Sequence, residues 1–311
     1  MANSTTATHQ LAQSLKKKNL ISNIIIAVVV LLLLVGIIFL AFRNHYVHLY
    51  YAVNADGVTY TYKAPKTNNS HVEVPTKIKG SPIKDLGVWS YSNSKNLVEI
   101  TIPEGYESIG RSAFENCEAL NKISIPSTVK SIGVGAFYNT AYYNNQSNWI
   151  DNALYVSGWL IAVKESESEL LTINVKDGTV GIADGVFKDR KDIKSVTLPD
   201  SVKYLGYETF YECTGLTDII IGDGVEAIGD RSFYGCMNLT DVVIGEKVSK
   251  IGNYTFQECL NLTSVTFKDP TTWYFTLNSA YTEGTPLGMD DPYENAVYLM
   301  DSFQYCFWYK I

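Results

Sequence analysis

Phe-x-x-Cys occurs five times in this chain, at Phe114/Cys117, Phe210/Cys213, Phe233/Cys236, Phe256/Cys259 and, near the C-terminus, Phe303/Cys306. Thiols at fixed spacing invite metal ligation, disulfide pairing or nucleophilic and redox chemistry. Zinc needs four convergent ligands, usually from paired Cys-x-x-Cys or His elements, and no such pair occurs. A catalytic thiol needs a base beside it, and the histidines stand at 9, 45, 48 and 71, all before the first of these cysteines. No phosphate-binding loop and no nucleophile–base motif appears either. The residues therefore predict no catalytic group, no metal ligand and no cofactor.

The spacing has another origin. An apolar pattern Leu-x-x-Ile-x-Ile begins at Leu97, Leu120, Leu170, Ile193, Leu216, Leu239 and Leu262, every 23 residues except for one interval of 50. Ile109-Gly110, Ile132-Gly133, Leu205-Gly206, Ile228-Gly229 and Ile251-Gly252 keep step with it, with Ile182-Ala183 as the variant. Phenylalanine falls at 114, 137, 187, 210, 233 and 256. A degenerate unit precedes these, from Val72 through Ile83 and Leu86-Gly87 to Tyr91, so eight turns run over residues 70–268. The alternating run reads as a short strand, Val-x-x-Ile-Gly as a second extended piece, and Phe-x-x-Cys as the closing turn. Such a unit cannot bury enough alone, so neighbours must stack on it.

Stacking changes what the cysteines mean. Cys213, Cys236 and Cys259 become one position in successive turns, about 5 Å apart, the strand spacing. Parallel side chains in a row do not all pair. A buried thiol acting as a small apolar residue is the expected role, with a disulfide between two neighbours as the alternative.

Residues 97–117, LVEITIPEGYESIGRSAFENC, resemble the BspA-type leucine-rich repeat almost position by position, with Tyr106 in place of Val. Val175-Lys176 departs from the pattern by lacking the proline, and Asp189-Arg190 by replacing Gly-Cys. The resemblance implies a leucine-rich-repeat solenoid, mostly strand and loop, of short parallel strands stacked at that same interval. It also implies adhesion or binding to cell-surface macromolecules, and it resolves no ligand.

In each strand the Leu and Ile side chains turn inward, so the intervening positions face out. That places Lys194, Ser195 and Thr197, then Thr217, Asp218 and Ile220, Thr240, Asp241 and Val243, and Thr263, Ser264 and Thr266 on one surface. The last nine are the candidate ligand-binding residues. The Asp218/Asp241 pair is read as solvated carboxylates, with bound calcium as the weaker alternative.

The remaining segments position this array. Ile24–Phe42 is an unbroken run without a charged side chain, long enough as a helix to cross a bilayer. Lys16, Lys17 and Lys18 precede it and only Arg43 follows closely, which orients the amino terminus to the cytoplasm. The expected organisation is a cytoplasmic tail at 1–20, a transmembrane helix at 21–43 and a linker with edge strands at 44–69. The solenoid follows at 70–268, with a hairpin insertion at about 143–169 joined by Ser157-Gly158. That hairpin should project from, or fold over, one edge. An aromatic C-terminal cap at 269–311 would close the stack, Trp273, Tyr274, Phe275, Tyr281 and Trp308 among its rings.

Net charge is −7. The three lysines at 16–18 are the only charges before Asn19, so the rest of the chain nets −10. An acidic body argues against nucleic acid as a partner. The reading is a single-pass cell-membrane protein whose extracellular repeats recognise a protein or glycan. The alternatives are a non-catalytic structural or accessory subunit of a cell-surface complex, and an enzyme whose site would have to assemble near His71.

Overall fold

The computed structural model describes residues 51–53, 60–62, 64, 66–165, 171–277 and 284–310. Contacts divide the chain into two units, Met1–Ala52 and Val53–Ile311, and the repeats belong to the second. The run Ile24–Phe42 lies outside the described residues. Among the described residues, no helix is long and apolar enough to cross a membrane.

In chain order the strands before the insertion are β1 (Tyr51–Val53), β2 (Tyr60–Tyr62), β3 (His71–Glu73), β4 (Lys77–Ile78), β5 (Ser81–Leu86), β6 (Glu99–Thr101), β7 (Ser108–Ile109), β8 (Lys122–Ser124) and β9 (Ser131–Ile132). The insertion holds helix α1 (Ala141–Asn144), β10 (Trp149–Ile150), β11 (Ala153–Val156) and β12 (Trp159–Val163). The later turns give β13 (Leu171–Asn174), β14 (Gly181–Ile182), β15 (Ile193–Thr197), β16 (Tyr204–Leu205), β17 (Asp218–Ile221), β18 (Ala227–Ile228), β19 (Asp241–Ile244), β20 (Lys250–Ile251) and β21 (Ser264–Phe267). The C-terminal segment adds β22 (Trp273–Thr276), β23 (Thr285–Leu287), helix α2 (Pro292–Val297) and β24 (Phe307–Tyr309).

Each turn contributes one strand to each of two parallel ladders. The first strands stack as β3-β6-β8 and β13-β15-β17-β19-β21, the second as β2-β5-β7-β9 and β14-β16-β18-β20. The register steps by one repeat, as in Asp218↔Asp241 and Asp241↔Ser264. A third side holds no regular strand. There alternate amides of one turn donate to the next, as in Phe210 N–H to Ser232 O and Glu212 N–H to Tyr234 O. Backbone pairing is thus satisfied on all three sides by neighbours, which is why no turn is independent.

Side chains stack in the same step. Phe187, Phe210, Phe233 and Phe256 lie face to face with centroids 4.9–5.2 Å apart, and Tyr91, Phe114 and Phe137 do the same at 5.7 and 5.4 Å. The glycine after Ile is forced by crowding. A Cβ on Gly133 would lie 2.3 Å from the Arg111 nitrogen, and one on Gly229 would lie 2.6 Å from the Gly206 carbonyl carbon. Ala183 departs from that column where the hairpin stands in for the preceding turn.

The insertion forms the expected hairpin, with Ser157 and Gly158 both at positive φ and β11 antiparallel to β12. The expectation that it projects from or folds over an edge needs correcting. β12 pairs parallel with β14, Trp159 opposite Gly181 and Leu160 opposite Ile182, so the hairpin is a rung of the second ladder. Trp159 is buried there and stacks on Tyr204 at 6.2 Å. Both ladders divide at this point: β8 and β9 each end a sheet. β13 begins the next first-ladder sheet, and β12, paired to β11 and β14, belongs to the next second-ladder sheet. The expected amino-terminal edge strand is also a rung, β2, parallel to β5.

Beyond β21 the chain reverses. β24 runs antiparallel to β20, and β22 to β24, while α2 packs on β21. Trp273, Trp308 and Tyr309 are buried, and Phe275 stacks on Phe303 at 4.2 Å. Tyr293 and Tyr305 are exposed. Tyr281 lies outside the described residues.

Candidate functional site: the outer face of the first ladder

The cysteines are not a site. All five are free and buried, which bears out the expected buried thiols over the disulfide alternative. The thiols of Cys117, Cys213, Cys236 and Cys259 each donate to the carbonyl of the aromatic residue one turn earlier, Tyr91, Phe187, Phe210 and Phe233, at 2.8–3.1 Å. Burial pushes Cys117 up to about 11 and Cys213 up to about 12. Thiols so protonated are poor nucleophiles at neutral pH.

His71 is exposed on β3. Its Nδ1 lies 3.0 Å from Ser70 Oγ and its Nε2 lies 3.5 Å from Glu99 Oε2. The three groups share open surface, and none of them lines the cavities described below. Among the described residues, no group of three or more His, Cys, Asp or Glu side chains is placed to hold a metal.

The nine candidate residues form an ordered array. Pairing sets Asp218, Asp241 and Ser264 in one row across β17, β19 and β21, and Ile220, Val243 and Thr266 in the next. Strand alternation fixes their direction: Ile219, Ile221, Val242, Ile244 and Val265 fill the core, and their neighbours face out. Thr217, Thr240 and Thr263 make the third row, just before the strands. Thr240 and Thr263 each donate their hydroxyl to the threonine carbonyl one turn earlier, at 3.2 and 3.3 Å. Thr217 donates to Asp218 Oδ2 at 2.8 Å.

Two properties stand out. Asp218 and Asp241 sit in register on adjacent strands, where like charges repel and destabilise. Beside them Ile220 is 63% exposed although its alternate neighbours are buried. The face offers two carboxylates, a row of threonines and an apolar stripe, at a repeat of one strand.

A second concavity escaped the sequence reading. A cavity of about 610 Å³ lies on the second ladder, lined by Lys130, Asp184, Tyr204, Tyr207, Glu226 and Asp230 among others. Asp184 Oδ1 accepts from Tyr207 N–H at 2.9 Å, and Asp230 Oδ1 from Asn253 N–H at 3.2 Å. Burial raises both carboxyls, Asp184 to about 7. The only signal was an acidic residue after Ile-Ala or Ile-Gly, too slight against a column that also holds Arg111, Val134 and Asn253.

Comparison with known proteins matches the family model for the BspA type leucine rich repeat region, in six copies over residues 66–152 and 165–279. The unmatched stretch between them contains all of β11, the hairpin turn and all of β12. Among solved structures, the T. pallidum leucine rich repeat protein is similar at 22% identity, over 68% of this chain and 86% of that one, with a TM-score of 0.34. The pneumococcal vaccine antigen PcpA is similar at 19% over 70% and 65%, TM-score 0.39. A leucine rich cell surface protein from Faecalibacterium prausnitzii is similar at 17% over 71% and 93%, TM-score 0.32. The comparison with curated proteins found no match.

Proposed function

Because the chain belongs to the BspA-type leucine-rich-repeat family, we propose that it is a cell-surface binding or adhesion protein that uses the outer face of β17, β19 and β21. The family supports a protein-interaction or adhesion role. The observation that carries the placement is the in-register Asp218/Asp241 pair beside exposed Ile220. A repulsive carboxylate pair that the fold does not need is relieved when a partner supplies cations or hydrogen-bond donors. Many weak contacts along such a ladder suit an extended protein or glycan.

In this reading residues 1–20 are a cytoplasmic tail and 21–43 a single transmembrane helix that displays the repeats outside. The segment 269–311 caps the stack by covering the edge of β20 with β24 and the end of the core with Trp273 and Trp308. The chain works as a scaffold, without catalysis or cofactor.

The test is binding of the full chain to a glycan array and to a panel of extracellular-matrix proteins. The double variant Asp218→Lys/Asp241→Lys should lose tenfold or more in affinity for any ligand found, at unchanged thermal stability. Undiminished binding by that variant would remove the face from the account.

A further inference from the structure

The break in the first ladder leaves two strand edges, and the hairpin treats them differently. At β8 the edge is closed. Ser157, at the hairpin tip, accepts from Ile125 N–H at 3.2 Å and reaches Ile123 O at 3.5 Å. At β13 no described strand covers the edge. Leu171 N–H and Val175 N–H donate to Asp192 O and Thr197 O, on the β15 side. Alternation along a strand then turns the peptide groups of Thr172, Asn174 and Lys176 the other way. Lys176 N–H meets Tyr155 Oη at 3.1 Å. Among the described residues, the main-chain groups of Thr172 and Asn174 have no partner on that side.

A cavity of about 370 Å³ lies against this edge, between β13 and the hairpin strands β10 and β11. Its walls include Ile150, Ala153 and Tyr155 on one side and Ile173 on the other. Leu171 and Ile173 are only half-buried, whereas Ile219 and Ile221 in β17 are fully covered. Ile150 is 45% exposed. Among the described residues the core is thus short of one strand here, in backbone bonds and in apolar cover together.

We propose that β13 binds an extended peptide segment of a partner protein, which adds as a strand in this cleft. Donors and acceptors repeating every second residue are complementary to an extended main chain. A glycan, with hydroxyls at other intervals, fits the spacing poorly. Ile150, Ala153 and Ile173 call for a small or apolar side chain at the peptide position that points inward. This edge is separate from the β17–β19–β21 face and stands whether or not that face binds.

The test selects a random octapeptide library on the full 311-residue chain. Thr172→Pro and Asn174→Pro remove a donor on the open side only, where an edge strand tolerates proline, and leave the bonds to β15. Ile150→Lys alters the cavity rim at an exposed site and keeps the test valid should either proline variant misfold. Enriched peptides should lose tenfold or more in affinity on these variants and keep it on Asp218→Lys/Asp241→Lys. Bound peptide should slow hydrogen exchange at the Thr172 and Asn174 amides. The proposal is overturned if no peptide is enriched, or if enriched peptides ignore all three edge variants. It is also overturned if binding follows the Asp218/Asp241 pair, or if the free chain dimerises through this edge and excludes peptide.

Discussion

Asp184 and Glu208 show how single residues respond to the stack. Glu208 is largely buried. Burial alone would raise its carboxyl, but the Lys188 ammonium at 2.6 Å, with Arg231 at 3.8 Å, holds it below the usual range. Asp184 has no such cation. Burial dominates and lifts it to about 7, against the opposing hydrogen bond from Tyr207 N–H. A raised carboxylate pKa means that the folded chain holds a proton the unfolded chain has released, between about pH 4 and 7. Asp184 therefore favours folding below its unfolded pKa, and that contribution is lost as pH rises through about 7. Asp184→Asn keeps the acceptor for Tyr207 N–H and removes the titration. The variant should be more stable than the wild-type chain at pH 8 by about 1–2 kcal/mol, allowing for screening by solvent. The difference should disappear near pH 4. Denaturant melts at the two pH values decide it, and an equal difference at both would assign the effect to something other than this proton.

The elements were legible in proportion to how often they repeat. The alternation in Asp218–Ile221 and Asp241–Ile244, the Ile-Gly pieces and the Phe stack each recur at a fixed step, so periodicity alone placed them, including their outward residues. The hairpin occurs once. Ser157-Gly158 and its flanking apolar runs announced two strands, but nothing local to Trp159 says that it lies over Gly181. That contact depends on Gly181, on the next rung, leaving room: a Cβ there would lie 2.5 Å from the indole ring. The break in the first ladder was invisible for the same reason. If β12 is a structural rung, Trp159→Ala should lower global stability by about 3–5 kcal/mol. Loss of protection would then spread into β14 and β16. Loosening confined to residues 149–163, with the main transition unmoved, would make the hairpin a decoration after all.

At the scale of the molecule, a column of identical positions acts as one feature. The four Phe-x-x-Cys units within the repeats, which suggest a reactive pair, are instead one core position repeated, with each thiol bonded to the preceding turn. The same register that buries them lines up Asp218 with Asp241 and Ile220 with Val243, and Thr240 with Thr263. Function in such a chain is expected in rows that run across turns, since neighbouring turns together build each surface. Hydrogen–deuterium exchange footprinting of the full chain, bound to the ligand that the array or panel yields, tests this most directly. Protection is expected in three stretches one period apart, 217–220, 240–243 and 263–266, with the second ladder unchanged. A footprint confined to one turn, or centred on the aromatic residues of 273–309, would contradict it.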